Sequence, residues 1–169
     1  MINYANEKVI FDGCPGCAYA KHEFELPCGM AYEDDLFTLS QDWELPIAGF
    51  MVISPKRCVE NFNELTDEER IKIFSIVNDT INILKNHNIC DRFDVIFEEK
   101  PNRHFHIWIM PRHKWMENLV GDITDHIGKI FEYAKENFRN QETYENINQI
   151  TKIIQENLIK DDIYGKAFK

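Results

Sequence analysis

The chain has 169 residues, is 44% hydrophobic and carries a formal net charge of −10. That apolar content supports a core and excludes wholesale disorder, and the length suits one compact domain with an appended element. The acidic balance repels nucleic-acid backbones, so no nucleic-acid polymer is expected as a partner, although a locally basic pocket for a small nucleotide is compatible with it.

No run of about 18 apolar residues occurs, so no membrane span is expected. Met1 to Lys8 is polar and lacks the apolar stretch of a secretory signal, which makes the cytoplasm the expected location. In chain order, Val9 to Phe11 leads into Asp12-Gly13-Cys14-Pro15-Gly16-Cys17, where two glycines and a proline predict a tight loop of zinc-knuckle type. Residues 30–40 read as two short strands around the acidic turn Glu33-Asp34-Asp35, which is expected to be solvated. Gly49 to Ser54 is almost wholly apolar, ends at Pro55 and predicts a buried strand. Thr66 with Glu69 forms a capping box, and Ile71, Phe74, Val77, Ile81 and Leu84 recur at helical spacing, so a helix should run to about Asn86–Asn88. Phe93–Phe97 and His104–Met110 read as a strand pair, with Pro111 stopping the second strand. From about Leu119 to Ile163 the chain is helical in character, with one apolar stripe through Ile123, Ile127, Ile130, Phe131 and Ala134 and another through Ile147, Ile150, Ile153, Ile154 and Leu158. Strands, a helix, strands and then helices make an α+β order.

Five cysteines, an odd count, argue against a disulfide framework, and the spacing of Cys14 and Cys17 suits metal or redox chemistry. A redox pair should open a helix after a strand, which Ala18 to His22 allows only loosely. In a strand, His104, His106 and Trp108 share one face while Phe105, Ile107 and Ile109 share the other. A neutral imidazole is basic enough to attack phosphorus near pH 7, yet a His-x-His strand is as often structural or metal-binding. Lys100, Arg103, Arg112, His113 and Lys114 add a local positive patch. Arg112 and His113 are otherwise expected to be solvated beyond the strand end.

His104 to Met110 resembles the histidine triad motif, His-φ-His-φ-His-φ-φ with φ apolar. The upstream order agrees: Cys14 and Cys17, then Tyr32 to Asp35, Pro46 to Asn61, Leu65 to Glu69, and finally His104 to Arg112. The resemblance covers roughly residues 10–115 and implies an antiparallel sheet of about five strands packed with helices. It divides the chain into a histidine-triad-like domain with a zinc knuckle over residues 1–116 and a C-terminal helical extension over residues 117–169, packed on the same domain. It implies a homodimer, and hydrolysis or transfer of nucleotidyl groups through a phospho-histidine at His106. It further implies structural zinc on Cys14, Cys17, Cys58 and His104, with Cys58 at a position where zinc-binding relatives carry histidine. Cysteine there preserves a zinc donor set, and four protein ligands leave no open position for catalysis by the metal.

The sequence departs from the family at three places, the first being Gly49-Phe50 where the family usually carries Gly-His before the buried strand. Trp108 holds the third histidine position, and its indole N–H donates but cannot accept or carry a proton. The family's Gly-Gln-Ser/Thr phosphate segment is replaced by Lys100-Pro101-Asn102-Arg103, so Lys100, Asn102, Arg103 and Arg112 are the candidate phosphate contacts, with Trp108 as a pocket wall. The first expectation is therefore a nucleotide hydrolase or transferase. The alternative is a non-catalytic zinc-stabilised protein that binds a nucleotide or another partner.

Overall fold

The computed structural model describes residues 14–23, 26, 28–42, 44–99 and 104–158. Five strands, β1 (Met30–Glu33), β2 (Phe37–Gln41), β3 (Met51–Pro55), β4 (Phe93–Glu98) and β5 (His106–Pro111), form one antiparallel sheet in the order β1-β2-β3-β5-β4. Around it lie α1 (Pro15–Ala20), α2 (Asp67–Asn86), α3 (Lys114–Val120), α4 (Ile127–Asn137) and α5 (Gln141–Asn157). The architecture is α+β, as the order of sequence patterns implied. Among the described residues no helix is long and apolar enough to cross a membrane.

Local chemistry accounts for these elements. At the start of α2 the Thr66 hydroxyl accepts from the Glu69 amide at 3.2 Å, and the Glu69 carboxylate accepts from the Thr66 amide at 2.7 Å. Two of the helix's orphan amide donors are satisfied in this way. Between β1 and β2, Asp34 accepts from the amides of Leu36 and Phe37 at 2.7 and 2.8 Å. It also takes the Tyr32 hydroxyl at 2.6 Å and pairs with Lys72 on α2 at 2.9 Å. Asp34 is thus a structural turn residue where the sequence suggested a solvated one. Gly49 has φ +80°, and a Cβ there would press on Ile89, so the approach to β3 needs glycine.

Register and alternation divide the sheet into two faces. Ile107 and Ile109 pair with Ile53 and Met51, and these side chains join Leu39 and Phe105 in a core closed by Ile73, Ile76, Val77 and Leu84 of α2 and Ile150 and Ile154 of α5. On the opposite face, Met110 and the loop residues Leu45, Ile47 and Phe50 pack with Met116 of α3 and Ile130 and Ala134 of α4. The helical stretches expected after Leu119 are α4 and α5, and α3 begins earlier, at Lys114. The expected residues 159–163 lie outside the described ones.

Candidate functional site

The Asp12–Cys17 segment was expected to be a tight loop. Its described part instead opens α1, with Cys14 as N-cap and Pro15 at the first helical position, where its missing N–H costs nothing. This turn brings Cys14 and Cys17 against His104, which stands just ahead of β5. Cys58 arrives from the segment after β3. The donor atoms of Cys14, Cys17, Cys58 and His104 all lie within 4.8 Å of one another. His104 Nδ1 is 3.4 Å from Cys14 Sγ and 3.6 Å from Cys17 Sγ, and Cys58 Sγ is 4.0 Å from Cys14 Sγ.

These separations suit a tetrahedral divalent cation. With zinc bonds of ~2.3 Å to sulfur and ~2.0 Å to nitrogen, a tetrahedron has sulfur–sulfur edges of ~3.8 Å and sulfur–nitrogen edges of ~3.5 Å. The imidazole is oriented for the same purpose. Its Nε2 lies 2.6 Å from the Pro55 carbonyl oxygen, which only accepts, so Nε2 carries the hydrogen and the Nδ1 lone pair faces the sulfurs. Burial lowers the His104 pKa and keeps the ring neutral, as a ligand must be. Gly16 completes the cradle, because a Cβ at that position would fall 2.3–2.8 Å from atoms of the His104 side chain.

Electrostatics within the cluster point the same way. Burial by itself raises the Cys14 thiol, but hydrogen bonds from the Cys17 amide and thiol, the Cys58 thiol and the Gly16 amide outweigh it and hold Cys14 below the ordinary thiol range. Cys17 is pushed up to about 12 by burial and then by its Cys58 and Cys14 neighbours. One thiolate is favoured and a second beside it is opposed, a balance that a bound cation relieves.

His106 opens β5, on the face that also carries Trp108. Its Nδ1 donates to the His104 carbonyl oxygen at 3.0 Å, which fixes the ring and turns Nε2 toward β4. There Nε2 meets Glu98 Oε2 at 2.7 Å. At the end of β2, burial pushes the Asp42 carboxyl up to about 6, against the lowering effect of the Leu45 and Glu44 amides; Glu44 raises it further and the nearby His106 lowers it. Sequence reading missed both carboxylates. The available signal for Glu98 was strand register, since Glu98 pairs directly with His106 across β4 and β5.

Trp108 is held by aromatic neighbours. Its ring meets Phe50 edge-on at 5.6 Å and Phe131 of α4 at 5.7 Å, and the His106 ring lies 6.0 Å away. Arg112 sits at the far end of β5, ~17–20 Å from His106 at about 3.3 Å per residue. There it grips Asp94 through two hydrogen bonds of 2.9 and 2.6 Å and reaches Thr124 at 3.2 Å. The structure does not bring Arg112 to His106. His113 is not solvated as expected: its Nε2 contacts the Ala48 carbonyl oxygen at 2.7 Å, and burial lowers its pKa. Lys100, Asn102 and Arg103 lie outside the described residues.

An antiparallel five-stranded sheet with a cysteine–histidine cage at one end of its histidine-bearing strand defines a class of α+β protein with known relatives in shape. A zinc-bound histidine triad family protein from Mycobacterium smegmatis is similar, with a TM-score of 0.59 and 13% identity over 86% of this chain and 92% of that one. A hypothetical histidine triad nucleotide-binding protein from Sulfolobus tokodaii strain 7 is similar with a TM-score of 0.57 and 20% identity, over 86% of this chain and 91% of that one. The C. elegans NitFhit protein is similar with a TM-score of 0.53 and 18% identity over 77% of this chain, which spans about a quarter of that protein (27%). The chain has the histidine triad fold. No family model and no curated protein matches the chain in sequence.

Proposed function

We propose that the chain is a zinc-holding histidine triad protein that acts on the phosphoryl group of a nucleotide through Nε2 of His106. The observation that carries this reading is the hydrogen bond from His106 Nδ1 to the His104 carbonyl oxygen, which selects the tautomer with Nε2 as the reacting nitrogen. Zinc on Cys14, Cys17, Cys58 and His104 is structural: it locks His104, and through its carbonyl the ring of His106, and with four protein ligands it leaves no place for substrate. Lys100, Asn102 and Arg103 follow Glu98 in sequence and remain the proposed phosphate contacts. Purified protein should release phosphate-bearing product from adenosine phosphoramidate or a dinucleoside polyphosphate, and His106→Ala should abolish that turnover while keeping its zinc. Turnover that survives His106→Ala refutes the reading.

The same proposal includes a homodimer. Strand β4 is an edge of the sheet, and among the described residues the large exposed apolar side chains lie on it and on α2: Ile71, Phe74, Val95 and Phe97, each 41–46% exposed. A two-fold pairing of this face buries them in both copies.

A second reading is favoured by Trp108. Its packing against Phe131 fills the third histidine position with core, which suits a protein that binds a nucleotide without turning it over. Nucleotide-dependent thermal stabilisation without product release distinguishes that reading from the first.

A further inference from the structure

Past Pro111, at the end of β5 away from His106, three stretches of chain surround a cleft of about 550 Å³. The loop between β2 and β3 contributes Ala48, the start of α3 contributes His113 and Trp115, and the run from the end of α4 into α5 contributes Phe138, Glu142 and Asn146. The last three lie beyond residues 10–115, the stretch that resembles the histidine triad family, so the cleft depends on the C-terminal helices of this chain. Its aromatic side is rigid. Trp115 stacks on Tyr133 with ring centroids 5.5 Å apart and meets Phe138 edge-on at 4.9 Å, while Tyr133 and Phe138 meet edge-on at 5.7 Å. Each ring is held by the other two, and Trp115 and Phe138 line the cleft as a fixed corner.

The charge around this corner has one sign. Among the described lining residues there is no lysine or arginine, and Glu142 carries the one full charge. Lys114 and Arg139, the cations next to the lining residues in sequence, are exposed and do not line the cleft. His113 Nε2 donates to the Ala48 carbonyl oxygen at 2.7 Å, and burial favours the uncharged ring, so the imidazole brings a lone pair and no positive charge. The N-terminus of α5 lines the same space and by itself would draw an anion. That turn is already answered: Asn140 Oδ1 accepts from the Thr143 amide at 3.0 Å, and Glu142 adds a carboxylate. We propose that the cleft binds an organic cation, an alkylammonium group seated against the Trp115 and Phe138 rings and beside the Glu142 carboxylate. The ring faces attract the cation through their quadrupoles, and the carbon groups around its nitrogen bury against the same rings. The net charge of −10 draws such a ligand toward the protein. This site stands apart from the reading of His106 and does not depend on it.

The test titrates the full chain with choline at constant ionic strength. The control is dimethylbutanol, the alcohol of the same shape in which carbon replaces the quaternary nitrogen. Choline should move the indole N–H resonance of Trp115, identified by its loss in Trp115→Phe, and the movement should saturate. By calorimetry choline should bind about 5-fold or more tighter than its uncharged isostere, the scale of a cation over an aromatic face. Glu142→Gln should weaken choline by about 2- to 5-fold, the scale of one exposed charge, and leave the isostere unchanged. Trp115→Leu should abolish choline binding. If Trp115→Leu melts early, Glu142→Gln still decides, because it is isosteric and lies at an exposed position. An isostere that binds as tightly as choline overturns the proposal, since the cleft would then be merely apolar. So does choline that leaves the Trp115 resonance unmoved, or Glu142→Gln that binds choline like wild type. Adenosine monophosphate or inorganic phosphate that moves this resonance when choline does not also overturns it, and gives the cleft to an anion at the N-terminus of α5.

Discussion

His104 and His106 are neighbours on the same segment, yet their surroundings are built by different means. The cage at His104 is gathered from three separate stretches of chain, and each is fixed by its own local chemistry: a proline-started helical turn for Cys14 and Cys17, the Pro55 carbonyl behind the imidazole, and Arg57 beside Cys58. Arg57 grips Glu69 at the start of α2 through two 2.7 Å contacts and so ties the Cys58 segment to that helix. The surroundings of His106 are made by strand register and by helix packing from far along the chain: Glu98 comes from β4 and Phe131, behind Trp108, from α4. A ligand set announces itself by residue type, whereas a partner delivered by register does not.

Dismantling the cage gives the largest expected effect. Cys58→Ser, or chelation of the native protein, should reduce zinc from about one ion per chain toward none. It should also lower the melting temperature by about 10 °C or more, since each kcal/mol is worth roughly 2–4 °C in a chain of this size and metal-binding energy is folding energy. Unchanged melting in metal-free protein breaks the comparison, because the cage would then hold nothing together.

Next in size is Trp108→Ala. It removes the ring between Phe50 and Phe131 and should cost about 2–4 kcal/mol by denaturant titration, somewhat less than a fully buried tryptophan because the ring is only partly buried. Zinc content should be untouched, so the variant separates the two regions directly. Gly16→Ala does the reverse. Its Cβ collides with the His104 ring, and it should cost about 1–3 kcal/mol together with a loss of zinc affinity, measured by competition with a colorimetric chelator.

The smallest effect belongs to the strut beneath Cys58. The Arg57 guanidinium, with the Thr66 amide, holds the Glu69 carboxyl down at about 2, and burial opposes it. A carboxylate depressed in the folded state stabilises the protein above its unfolded pKa of about 4.5, and that contribution is lost as pH falls from there toward about 2. Arg57 is 46% exposed and its charge is screened, so Arg57→Ala should cost only about 1 kcal/mol at neutral pH and should flatten the stability curve in that acid window.

The sequence carried the elements whose causes are local. The capping box at Thr66 and Glu69 starts α2 where expected, and alternation along β5 puts Ile107 and Ile109 in the core. The four cage residues could be named as ligand types at family-like positions, and the fold brings them together. What was hidden depends on pairings between distant segments. Glu98 falls just beyond the strand expected over Phe93–Phe97, and its place beside His106 appears only when β4 is laid against β5. Arg112 reads as a phosphate contact until its strand end is seen beside Asp94. Asp34 reads as a solvated turn until α2 supplies Lys72.

Trp108 couples two features of this protein, the third position of the motif and helix α4. Its ring fills the space against Phe50 on one side and Phe131 of α4 on the other. A histidine substituted there would be too small for that space, and a chain shortened before α4 would leave one side of the indole uncovered. The cost of a change at the third position of the motif therefore depends on whether the helix that covers it is present, because both act on the same ring.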